Sequence, residues 1–92
     1  MKSFSPFVYW AQNEKNIFLK VDIKDVIEPK LSIEEEELEF EALGIGAQGS
    51  EQKQYAFSLE FYLPVNREKS SYYVTDREIK ITLAKSDADW WP

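Results

Sequence analysis

Cysteine and histidine are both absent from these 92 residues. Without cysteine there is no disulfide framework, no thiolate zinc site and no thiol nucleophile, which fits a reducing compartment. Without histidine the chain lacks the commonest general base and the commonest metal ligand. Cationic side chains are scarce. Eleven Lys and Arg against 17 Asp and Glu give a net charge of −6, with a pI near 4.6. Such a surface repels phosphate backbones and anionic lipid headgroups, so neither nucleic acid nor a membrane surface is an expected partner. No apolar run approaches the roughly 18 residues of a membrane span, and Met1-Lys2-Ser3-Phe4 lacks the apolar core of a signal peptide. The expected location is cytoplasmic, and the expected state is a monomer that needs no cofactor.

What the chain has in abundance is alternation. Ile17, Leu19, Val21 and Ile23 alternate with Phe18, Lys20, Asp22 and Lys24, the pattern of a half-buried strand. Tyr55, Phe57, Leu59 and Phe61 alternate with Ala56, Ser58 and Glu60. Ile79, Ile81 and Leu83 alternate with Glu78, Lys80 and Thr82. Phe7-Val8-Tyr9-Trp10 reads as a first strand, and Tyr72-Tyr73-Val74 as a short one after the polar loop of residues 66–70. Residues 31–43 have good helix propensity. Yet Leu38, Phe40 and Ala42 alternate with Glu39 and Glu41, and Leu31 alternates with Ile33. Glu34 to Glu37 would repel one another in a helix but tolerate a turn, so this region reads as two strands joined at the acidic run. Pro29 and Pro64 punctuate loops. The total is about seven short strands and no convincing helix. That predicts an all-β antiparallel sandwich, one domain over residues 1–92, with Leu19, Val21, Ile23, Phe40, Phe57, Leu59, Ile79, Ile81 and Leu83 in one core.

Several motifs invite a chemical reading. Gly44-Ile45-Gly46-Ala47-Gln48-Gly49 spells a dinucleotide fingerprint, but that motif must follow a strand and open a helix, and here a strand pattern follows. The plain reading is a flexible inter-strand loop whose glycines permit positive φ. Glu34-Glu35-Glu36-Glu37, continued by Glu39 and Glu41, lacks the ligand spacing and turn glycine of a calcium loop, and reads as a solvated acidic edge. Tyr9, Tyr55, Tyr62, Tyr72 and Tyr73 have no base or nucleophile beside them, so most are expected to pack in the sandwich and none to be catalytic. Thr75 and Asp76 form a tight turn, with Arg77 opening the last strand. The terminal Asp89-Trp90-Trp91-Pro92 stands out. Adjacent side chains of an extended segment point to opposite sides, so one Trp can pack back while the other is offered to a partner.

Val74-Thr75-Asp76-Arg77-Glu78-Ile79-Lys80-Ile81, then Leu83-Ala84-Lys85, an acidic spacer and Trp91-Pro92 together resemble the CS domain. This is the β-sandwich family of co-chaperones for heat-shock protein 90. Pro6-Phe7-Val8-Tyr9-Trp10-Ala11-Gln12, Leu19-Lys20-Val21-Asp22, the glycine loop and Trp90-Trp91 are similar to the N-terminal CS domain of the very-long-chain 3-hydroxyacyl-CoA dehydratases. The resemblance implies a non-catalytic protein-interaction module that docks on heat-shock protein 90. It also implies the N-terminal part of a longer protein, on the cytosolic face of the endoplasmic reticulum, ahead of a membrane-embedded dehydratase region. It carries over chaperone contacts to Lys85 and to Trp91 with Pro92; the expected partner-binding set is Lys85, Trp90, Trp91, Pro92 and Arg77, with Trp91 as the anchor, Lys85 as a steering charge and Trp90 packed on the sandwich. The alternatives are a domain that only supports the dehydratase, or a small prostaglandin-synthase-like enzyme. Against the enzyme, the family's first-strand tyrosine motif is matched here by Tyr9-Trp10-Ala11-Gln12, with its aromatic order reversed.

Overall fold

Eighteen consecutive residues, Asn16–Ile33, form one strand. Fully extended, they would span about 60 Å at the usual strand rise. The longest dimension of the molecule is 40 Å, so the strand must bend. The bends sit at Asp25 (φ 52°) and Glu28 (φ 51°), both in the left-handed region, and the pairing register with the next strand shifts on either side of Ile27. These irregularities let one strand serve two sheets. The expected strands at Ile17–Lys24 and at Leu31–Ile33 are therefore a single element, and the count among the described residues is six. The computed structural model describes residues 4–46, 51–88 and 90–92.

The strands are β1 (Phe7–Gln12), β2 (Asn16–Ile33), β3 (Glu37–Gly46), β4 (Lys53–Glu60), β5 (Val65–Val74) and β6 (Ile79–Lys85), with no helix among the described residues. All strand pairs are antiparallel. The first half of β2 lies between β1 and β6, and β5 continues that sheet beyond β6. The second half of β2 pairs with β3, which pairs with β4. The result is an all-β sandwich. Its two sheets are joined through β2 and again at the N-terminus, where Phe4 donates to the Gln54 carbonyl and accepts from the Ala56 amide, both at 2.9 Å.

The inward phase of the alternation fills the core: Ile17, Leu19, Val21 and Ile23 from β2, Leu38, Phe40 and Ala42 from β3, Ile79, Ile81 and Leu83 from β6, with Tyr55 and Val65. Two expected members fall short. Phe57 is only partly buried, with its ring 5.3 Å from that of Phe40, and Leu59 is exposed. Both lie on β4, which ends its sheet, with no strand beyond it among the described residues. Among the tyrosines only Tyr55 is buried; Tyr9, Tyr62, Tyr72 and Tyr73 stay exposed, against the expectation of sandwich packing.

Three local readings are refined. Gly44 and Gly46 belong to β3 with no positive φ, not to a loop. Their lack of a Cβ serves close packing. A Cβ at Gly44 would stand 2.7 Å from the Ile23 side chain, and one at Gly46 would overlap the Tyr55 hydroxyl. The rest of the glycine motif, residues 47–50, lies outside the described residues. The acidic run does turn between strands, and its backbone also anchors the β4–β5 connection. Carbonyls of Glu36 and Glu35 accept from the amides of Phe61 and Val65 at 2.8 Å each. Residues 66–70 fall within β5 as an outward excursion. There Asn66 Oδ1 accepts from the amides of Glu68 and Lys69, and Ser70 Oγ stands in for a ladder carbonyl by accepting from Ala84 N.

Candidate functional site

Lys85 closes the inward-facing row of β6, where the core meets the rim. It is 9% exposed. Its ammonium donates to Gln12 Oε1 and to the Asn13 carbonyl, both at 2.9 Å. A buried cation needs such partners to offset its desolvation. Asn13 is itself fixed by the β1–β2 turn, where its side chain accepts from the amides of Lys15 and Asn16. The expected steering charge is therefore an internal one, held at the junction of β1, β6 and the tail.

The tail docks on this junction through one side chain. Gln12 Oε1 accepts from Trp91 N at 3.0 Å, and Gln12 Nε2 donates to Trp91 O at 2.8 Å. Because Oε1 faces two donors, the orientation of the amide is determined. The Trp91 ring packs against Phe61, 5.7 Å between centroids, and against the core. Its indole Nε1 is buried with no hydrogen-bond partner, a loss of about 1–3 kcal/mol for a group of this kind. Trp91 lines one wall of an apolar groove of about 330 Å³ with Val8, Trp10, Leu59, Phe61 and Pro92. Trp90 points the other way. It is 59% exposed, and the Lys85 ammonium lies 5.2 Å from its ring centroid.

The two tryptophans thus exchange the places expected of them. Trp91 packs and Trp90 is offered to solvent. Alternation alone could not choose between them; in the structure it is Trp91 whose backbone meets Gln12. Pro92 is exposed beside the groove. Arg77 is not part of this corner. It sits in the turn between β5 and β6, where Thr75 Oγ1 accepts from the amides of Arg77 and Glu78. The last strand opens at Ile79 instead, which leaves Arg77 roughly 26 Å of strand away from Lys85.

A second surface was not anticipated. On the outer face of the four-stranded sheet, Tyr9, Lys20, Lys80 and Tyr73 form one row across β1, β2, β6 and β5. The Lys20 ammonium lies 5.5 Å from the Tyr9 ring and that of Lys80 6.0 Å from the Tyr73 ring. Glu78 pairs with both lysines, at 3.8 and 3.4 Å. Its hydrogen bond, and then the proximity of Tyr73, hold the Lys80 ammonium above the ordinary lysine range. Phe18 and Ala11 extend the patch. The signal was available: Tyr9, Phe18 and Tyr73 are aromatics in the polar phase of their strands.

Among the described residues, neither surface assembles an acid, a base and a nucleophile. Among the described residues no group of carboxylates is arranged to hold a metal ion, and no helix is long and apolar enough to cross a membrane. What the geometry offers is contact area with fixed aromatic and cationic groups. Residues 6–85 match the CS domain family. The chain belongs to that family. The match ends at Lys85, so the tail that packs on the domain lies just beyond it.

This CS domain is 40% identical over 91 residues to a very-long-chain (3R)-3-hydroxyacyl-CoA dehydratase of Danio rerio, covering 99% of this chain and 24% of that protein. It is 40% identical over 87 residues to very-long-chain (3R)-3-hydroxyacyl-CoA dehydratase 3 of Homo sapiens, covering 95% and 23%. The chain therefore spans about a quarter of the length of these relatives. In architecture it is similar to heat shock protein 16.0 from Schizosaccharomyces pombe, with a TM-score of 0.78 and 9% identity, covering 98% of this chain and 94% of the other. At that identity the likeness concerns the fold alone. A CS domain is a protein-interaction module, so the partner sought is a protein.

Proposed function

We propose that this CS domain docks on heat-shock protein 90 through its C-terminal corner, with Trp90 as the anchor. The observation that carries this reading is an indole 59% exposed on an otherwise pinned tail, directly over a buried ammonium. Trp is favoured at interface hot spots because it brings a large contact area at low entropic cost. A tail already ordered costs less to bind. Pro92 belongs to the same contact. Trp91 and Lys85 act from behind it, and Arg77 stands outside this footprint. The domain contributes binding and no chemistry.

The relatives' names support a second element of the proposal. In the longer protein the domain would stand ahead of a dehydratase region embedded in the endoplasmic reticulum membrane and face the cytosol. A role confined to supporting that enzyme is the competing reading. The two separate on one titration of heat-shock protein 90 against the 92-residue chain, with and without nucleotide. We expect saturable binding that Trp90→Ala weakens at least tenfold, about 1.4 kcal/mol or more, with the thermal midpoint unmoved. No binding, or binding indifferent to Trp90, would leave the supporting role.

A further inference from the structure

We infer that Gln12 is a positioning residue, the clasp that decides which tryptophan the tail presents. This rests on the reading of Trp90 as the docking anchor and adds the residue that sets its geometry. Gln12 is the last residue of β1. Its side-chain amide offers one donor and one acceptor, the pair that a neighbouring strand's backbone would offer. Both are spent on Trp91, through its N–H and its carbonyl. The tail is thus added to β1 by a single side chain. The same oxygen also accepts from Lys85 Nζ, so one amide ties together β1, the end of β6 and the tail.

Ring packing by itself secures the tail poorly. Trp91 is only half-buried, and its Nε1 gives up solvent without finding an acceptor. The apolar gain at Phe61 is therefore offset by an orphaned donor. With Gln12 in place, Trp91 is fixed inward. The next residue back along the extended tail must then face outward, over Lys85. Without it, either indole could occupy the groove, and the outward anchor would no longer be defined. A shorter Asn would fall one methylene short. A Glu would keep the acceptor for Lys85 and Trp91 N, but would lose the donor to Trp91 O and set two oxygens against each other.

Gln12→Glu is therefore the informative substitution, because it keeps a partner for the buried ammonium while opening the clasp. The measurement is the ordering of the three indole N–H groups in the 15N-labelled 92-residue chain, read from their heteronuclear NOE values, alongside the thermal midpoint and the affinity for heat-shock protein 90. We expect the Trp90 and Trp91 indoles to become mobile in Gln12→Glu, the Trp10 indole to stay ordered and the midpoint to fall no further than in Trp91→Ala. Affinity should drop at least tenfold. Combined with Trp90→Ala, Gln12→Glu should add no further loss, because it acts through Trp90. Unchanged indole NOE values, or losses that add in the double variant, would overturn the inference. If the unmodified chain does not bind the chaperone, the docking proposal fails, and the NOE values alone decide whether Gln12 is the clasp.

Discussion

The outer face of the four-stranded sheet and the C-terminal corner are built from the same kinds of residue, aromatic rings and lysines, in opposite ways. On the outer face Lys20 and Lys80 remain solvated, share one carboxylate and lie over tyrosine rings. Their side chains keep most of their freedom, and their charge acts through water and is screened by salt. At the corner Lys85 is buried, bonded to two oxygens, and beneath an indole. The first arrangement can adapt to a partner and pays for ordering when it binds; the second is ordered beforehand. A lysine near an aromatic is thus not one motif. Its meaning depends on whether the ammonium is counted with the surface or with the interior.

The strongest way to erase this contrast is to remove what both regions rest on. Ile81 is 1% exposed and lies between Leu19 and Tyr72 in register. Ile81→Ala is expected to cost about 2–5 kcal/mol in urea unfolding. A loss under about half a kcal/mol would mean that the inward phase of β6 is not the core. Next in size is Trp91→Ala, expected to lower stability by about 1–3 kcal/mol. It removes a half-buried ring from Phe61 but also relieves the orphaned Nε1, so it should fall short of a full core deletion.

Lys85→Ala sharpens the comparison more directly. It should destabilise by about 1–2 kcal/mol, since it leaves the Asn13 carbonyl without its donor, and the loss should change little between low and high salt. The smallest effects belong to the other surface. Lys20→Ala and Lys80→Ala should leave the thermal midpoint unmoved, as exposed pairs generally do. A destabilisation by Lys80→Ala equal to that of Lys85→Ala would show that the two regions are not different in kind.

Much of this was legible in the sequence because period-two alternation has one physical cause. Wherever a strand covers a core, one face must be apolar, and β3, β6 and the first half of β2 show it without interruption. The reading faltered where burial depends on a neighbour. Leu59 and Phe57 keep the alternation of a buried strand, but β4 ends its sheet and leaves them partly open. Tyr9, Tyr72 and Tyr73 look like core residues by type, and are exposed on strands whose outer face or edge has no cover. The expected count of about seven strands is close to the six among the described residues, and the difference lies at residues 24–30, where a bent strand carries the same polar interruption as a turn.

The pattern of apolar and polar residues by itself determined the strands, the sandwich and the inward identity of Ile17 through Ile23 and Ile79 through Leu83, since a side-chain period of two allows no other burial. The absence of histidine and cysteine determined which chemistries had no residues to carry them. Only the tertiary structure decided that Lys85 is interior and that Trp90 rather than Trp91 faces outward. Both go with contacts between residues more than 70 positions apart, Gln12 with Lys85 and with Trp91. Local periodicity has no term for either.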